Sequence, residues 1–216
     1  MFMGNFIIVE VMLNYMENNL RDILKVYYSH PKWMYNTREE KDAIRTIKNF
    51  LGKDVEILNP RDYDENPDFA ELKKRKGMSV CFKLIDQTDC VVFQRFCFPE
   101  QFRNFVLDYL ERVDEYGVYM SRLSPDLRST PKKLQHLITD KTSVITPGVA
   151  KEVNYALRVN KKVYELREEL KTWNKKVRSD FKEPWDPLYR TFSLMIKAYK
   201  DNRHGILFPP FWWLAE

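Results

Sequence analysis

The sequence predicts an α/β domain built on an open parallel sheet flanked by helices. Three observations predict it. Short apolar runs bounded by turn residues occur at 23–29, 55–58 and 90–93. The stretches between them carry apolar residues at helical spacing. Strands separated by helices in this order join through right-handed crossovers, which produce parallel neighbours.

The elements follow in order. Residues 23–29 (Ile-Leu-Lys-Val-Tyr-Tyr-Ser) read as a buried strand closed by His30-Pro31. Thr37 to Glu40 is a capping box, with Glu40 expected to reach back to the N-cap. Ile44, Ile47 and Leu51 continue the helix until Gly52 stops it. Residues 55–58 form a second strand, and 61–67 read as a polar loop before a helical stretch interrupted at Gly77. Val80, Cys81, Leu84 and Ile85 carry that helix on to the strand at 90–93.

Beyond this strand, Phe102, Phe105, Val106, Tyr109, Leu110 and Val113 mark an amphipathic helix, followed by a polar stretch with Pro125 and Pro131. Residues 97–141 therefore read as an inserted helical lobe. Thr146-Pro147-Gly148 opens another helix whose buried face is Val149, Val153, Ala156 and Leu157. Residues 162–166 are a fourth strand. Leu166, Leu170, Trp173 and Val177 give one helical stripe, and Leu188, Phe192, Met195, Ile196 and Tyr199 give another. The expected architecture is thus flavodoxin- or Rossmann-like. It is one domain over 1–216, with a sheet core at 20–96 and 142–166 and a helical C-terminal extension at 167–216.

Composition agrees with a globular chain: 44% of its 216 residues are hydrophobic and 31% are charged. The net charge of +5 resides in the segment 161–203, which holds 12 Lys or Arg against 7 Asp or Glu. That segment is expected to be a solvated face, with nucleic-acid binding as the alternative. The three cysteines, Cys81, Cys90 and Cys97, lack metal-ligand spacing, so no metal or other cofactor is expected and a reduced, cytoplasmic setting fits. Glu10 interrupts the apolar N-terminal run, which argues against a signal peptide, and no segment is expected to span a membrane. That run and the aromatic residues 206–214 each call for a partner surface, so a homo-oligomer, a dimer in the simplest case, is expected.

Ligands of open parallel sheets gather at the carboxyl ends of the strands. This rule selects Tyr28, Ser29 and His30 after the first strand, Asn59 after the second, and Gln94 and Arg95 after the third. The helix start at Gly148 points its backbone N–H groups at the same edge.

Three segments resemble the nucleoside 2-deoxyribosyltransferase-like family in order and spacing. They are residues 25–31 (Lys-Val-Tyr-Tyr-Ser-His-Pro), 83–93 with its Asp-x-x-Asp pattern at Asp86 and Asp89, and 147–157 followed by 160–163. The resemblance implies that Glu152 is a nucleophile toward the anomeric carbon of a nucleoside or nucleotide. It implies that Asp89 protonates the leaving base and that Tyr27 helps to place the glutamate. An ionised carboxylate suits the oxocarbenium-like transition state of N-glycoside cleavage, and Glu152 in an early helix turn feels the N-terminal dipole. Each residue also has a purely structural account: helix-end electrostatics for Glu152, a turn for Asp89, core packing for Tyr27. The chain departs from the family pattern at 143–147, where a further acidic residue is absent, in the length of the insertion, and at loop 29–33. A non-catalytic nucleotide-binding module on the same fold is the alternative function.

Overall fold

The computed structural model describes residues 23–64, 66–115, 129–183 and 186–202. The N-terminal apolar run and the aromatic segment 206–214 lie outside the described residues, as does the middle of the insertion.

The chain alternates strands and helices through its first half. Strand β1 (Lys25–Ser29) leads through a short 3-10 turn (Lys32–Met34) to helix α1 (Arg38–Leu51). Strand β2 (Glu56–Leu58) follows, then helices α2 (Pro60–Asp64), α3 (Pro67–Lys76) and α4 (Ser79–Asp86). Strand β3 (Cys90–Gln94) completes the first half. Strands β4 (Phe96–Cys97) and β5 (Ser143–Val144) pair antiparallel and bracket helices α5 (Glu100–Glu115) and α6 (Thr130–Asp140). Helix α7 (Pro147–Arg158), strands β6 (Lys162–Leu166) and β7 (Leu170–Thr172) and helix α8 (Pro187–Asn202) complete the order.

The main sheet has the order β2-β1-β3-β6-β7. Its first four strands are parallel, and β7 adds an antiparallel edge. This is the open α/β architecture that the alternation predicts. Because strand residues alternate between faces, Tyr27, Val91, Phe93 and Val163 pack with Val149, Val153 and Ala156 of α7. Val26, Tyr28 and Val92 pack with Ala43 and Ile47 of α1 on the opposite face. Each such side chain contributes roughly 1.5–3 kcal/mol when fully buried. A third core joins α5, α6 and α8 through Phe102, Val106, Leu134, Ile138, Phe192 and Ile196. Helix α8 thereby packs on the inserted helices.

Local chemistry explains the ends of α1. The Thr37 hydroxyl accepts the Glu40 N–H at 3.2 Å, as an N-cap does. Gly52 ends the helix at φ +116°, a conformation that a Cβ would strain.

The structure corrects three expectations. The polar stretch after β2 is not a loop, because Pro60 opens α2 directly. The Glu40 carboxylate does not return to the N-cap residue; it accepts from the Asn36 N–H at 2.7 Å and turns inward. The stripe of Leu166, Leu170, Trp173 and Val177 is not helical. Leu166 and Leu170 are cross-strand partners in the β6–β7 hairpin. Two residues facing each other across a three-residue loop stand four apart, the same spacing as one helical turn. The extension 167–216 is therefore helical only over α8 among its described residues.

Candidate functional site

Helix α7 begins with Thr146 as N-cap, its hydroxyl accepting the Val149 N–H at 3.4 Å, and with Pro147 at the first helical position. Its apolar face lies on β1, β3 and β6, and this orientation directs Glu152 toward the carboxyl end of β1. The Tyr27 hydroxyl donates to Glu152 Oε1 at 2.9 Å, and the Ser29 hydroxyl donates to Oε2 at 2.5 Å. Glu152 is 6% exposed, and both donors are fully buried. Burial pushes the Tyr27 phenol well above its ordinary range, and the neighbouring Glu152 carboxylate raises it further. Tyr27 is therefore a neutral, permanent donor. Glu152, Tyr27 and Ser29 converge as one buried unit.

Asp89 lies elsewhere. Its Oδ2 accepts from the Lys25 N–H at 2.7 Å, and its own N–H donates to the Lys25 carbonyl at 2.9 Å. Lys25 opens β1, whereas Ser29 closes it. At about 3.3 Å per residue the two carboxylates are anchored roughly 13 Å apart along the strand. They stand at opposite edges of the sheet, so the paired-acid role expected of Asp89 is not compatible with this geometry. The Asp89 side chain caps the start of β1.

The other face of the sheet holds a second buried carboxylate, Glu40. His30 Nε2 lies 3.0 Å from its Oε1, the Asn59 amide donates to Oε1 at 2.8 Å, and Arg61 Nη1 donates to Oε2 at 3.0 Å. His30 Nδ1 lies 3.1 Å from the Tyr28 carbonyl. Both neighbours of the imidazole are acceptor oxygens. Burial by itself raises the Glu40 carboxyl. Hydrogen bonds from His30, Asn59 and the Asn36 N–H, with the charge of His30, reverse this and hold it at about 2. His30 and Asn59, expected as pocket-lining groups, thus serve Glu40 instead. Tyr28 stacks on His30 at 4.0 Å and donates its hydroxyl to Gln94. These two predicted residues meet each other, on the face opposite Glu152.

A third carboxylate, Glu165 on β6, is 2% exposed. Arg95 Nε donates to its Oε1 at 2.6 Å, and Arg167 reaches its Oε2 through Nε at 3.0 Å and Nη2 at 2.9 Å. In the parallel register Ser29 neighbours Phe93, and Phe93 neighbours Glu165. Ser29 and Glu165 therefore share one row, on the face of Glu152. Gly148 lies in the first turn of α7, where a Cβ would meet nothing within 4 Å, so steric need does not explain a glycine there.

Sequence reasoning missed Glu40 and Glu165 as buried anions. The alternation of 162–166 did contain a signal, since Glu165 falls on the same side as Val163, which points inward. Among the described residues no group of three or more His, Cys, Asp or Glu can hold a metal ion. Among them, too, no helix is long and apolar enough to cross a membrane.

Fold and site together define an α/β protein with a buried, doubly hydrogen-bonded glutamate at the carboxyl edge of a parallel sheet. No family model, no curated protein and no solved structure matches the chain.

Proposed function

We propose that the protein cleaves or exchanges the N-glycosidic bond of a nucleoside or nucleotide, with Glu152 as nucleophile. The observation that carries this reading is the Tyr27–Glu152–Ser29 unit, in which two neutral hydroxyls orient one carboxylate at the ligand-binding edge of the sheet. The resemblance to nucleoside 2-deoxyribosyltransferase-like proteins supports it independently, because it assigns the same glutamate and the same tyrosine to one site.

On this reading a Glu152 oxygen attacks the anomeric carbon and the base departs, taking its proton from solvent, since Asp89 stands at the other edge. Water or a second base then releases the sugar from the glutamyl ester. Tyr27 and Ser29 hold the carboxylate in place through both steps. The test is to incubate the protein with a panel of nucleosides and 5′-monophosphates and to measure free base. Release that persists undiminished in Glu152→Ala sinks the mechanism.

A second reading has one specific observation in its favour. The opposed placement of Asp89 deprives the site of a paired acid, which suits a nucleotide-binding module without turnover. Stabilisation of the wild-type protein by a nucleotide, with no base released over days, selects that reading.

A further inference from the structure

At the carboxyl edge of the sheet that also holds Ser29 stands a cluster with more positive charge than folding requires. A carboxylate as buried as Glu165 needs a cationic partner, and Arg95 alone supplies one at 2.6 Å. Arg167 is a second cation on the same carboxylate, so the trio carries a surplus of one positive charge. Arg95 binds Glu165 only through Nε, which leaves both terminal amino groups without a hydrogen-bond partner among the described residues. Among the described residues Arg167 likewise keeps Nη1 without a hydrogen-bond partner. The side chains of Arg95 and Arg167 are 30% and 56% exposed, so their open N–H groups reach solvent. The guanidinium of Arg95 also lies 6.0 Å from the Trp173 ring centre, which limits its rotamers.

The location matters as much as the charge. Glu165 and Ser29 sit in one row across the carboxyl ends of β1, β3 and β6. Two strand spacings, roughly 10 Å, separate them, with the buried Phe93 between them in the register.

We infer that Arg95 and Arg167, held by the buried carboxylate of Glu165, form a binding site for a phosphate monoester at the same edge as Glu152. Guanidinium groups oriented by a fixed carboxylate suit this ligand, because planar N–H pairs match phosphate oxygens and lose little entropy on binding. The inference deepens the glycosidic reading and rests on it for the sugar only: it assigns the substrate as a nucleoside 5′-monophosphate. The phosphate site itself stands on the arginines.

The experiment is calorimetric titration of inorganic phosphate and of a nucleoside 5′-monophosphate into protein carrying Glu152→Gln, which prevents turnover. Both ligands are expected to bind, and Arg167→Gln is expected to weaken each at least about tenfold. Arg95→Lys, which keeps the charge and the ion pair but loses the fork, is expected to weaken the 5′-monophosphate similarly. Loss of phosphate affinity in these variants upholds the site even where the wild-type protein releases no base. Equal affinity in the parent protein and both variants, or no phosphate binding at all, overturns it even where base is released.

Discussion

The Tyr27 hydroxyl donates to Glu152 Oε1 at 2.9 Å across 125 positions of sequence. Strand β1 contributes the donor and helix α7 the acceptor. Neither residue reaches the other unless β1, β3 and β6 are parallel neighbours and α7 crosses their common face.

The first prediction concerns this bond. Tyr27→Phe preserves the ring in its core but removes the donor, so Glu152 retains Ser29 alone among these two. A loss of about 1–3 kcal/mol in urea unfolding is expected where a buried carboxylate gives up one donor. Base release is expected to fall with it. A purely packing role for Tyr27 predicts a neutral substitution.

Removal of the nucleophile is the second test. Glu152→Gln retains volume and the capacity to accept from one hydroxyl, so the fold is expected to persist. Free base, quantified by chromatography, is expected to fall at least about 10³-fold.

Asp89→Asn separates the sequence expectation from the observed geometry. An acid delivering a proton to the leaving base contributes about 10²–10⁴-fold, whereas a residue capping β1 at the far edge changes the rate by no more than about twofold. The small effect is expected, since the asparagine oxygen can still accept the Lys25 N–H.

Glu40 gives the clearest pH dependence. Folding lowers its carboxyl from 4.5 to about 2, so the unfolded chain takes up the proton first as pH falls. The stability it contributes is complete above about pH 4.5 and is lost as pH falls toward 2. A shift of this size amounts to on the order of 3 kcal/mol. Acid titration of unfolding free energy is expected to show this loss in the wild type and a flatter curve in Glu40→Gln. The neutral variant is also expected to be less stable near neutrality, because His30 loses the carboxylate it faces and Arg61 keeps, among the described residues, only the Asp62 anion.

The candidate site was only partly legible in the sequence. The strand-end rule selects Ser29 at the carboxyl edge, because strand ends are marked locally by turn residues, whereas Glu152 and Tyr27 are singled out only by the family resemblance; the structure brings the three together. His30 and Asn59 were placed at that edge as well, but their partner, Glu40, was misread. A glutamate three residues after a threonine matches a helix-capping pattern whether its carboxylate faces solvent or is buried, and spacing alone does not distinguish the two. Asp89 meets the same limit: a residue just before a strand occupies the amino edge, which agrees with its reading as a turn residue, and its distance from the carboxyl edge is invisible until the strands are registered.

By itself the sequence determined the alternation of strands and helices, the caps at Thr37 and Thr146, and the stop at Gly52. These depend on interactions within a few residues, and the side chains that make them are adjacent in the chain. Only the tertiary structure decided that β7 runs antiparallel, that α8 packs on the inserted helices, and that Glu152, Glu40 and Glu165 are buried anions with separate partners. Those outcomes depend on strand order and on which face each helix covers. A buried charge is tolerated only where donors from distant segments meet it, and that meeting is a property of the packed chain.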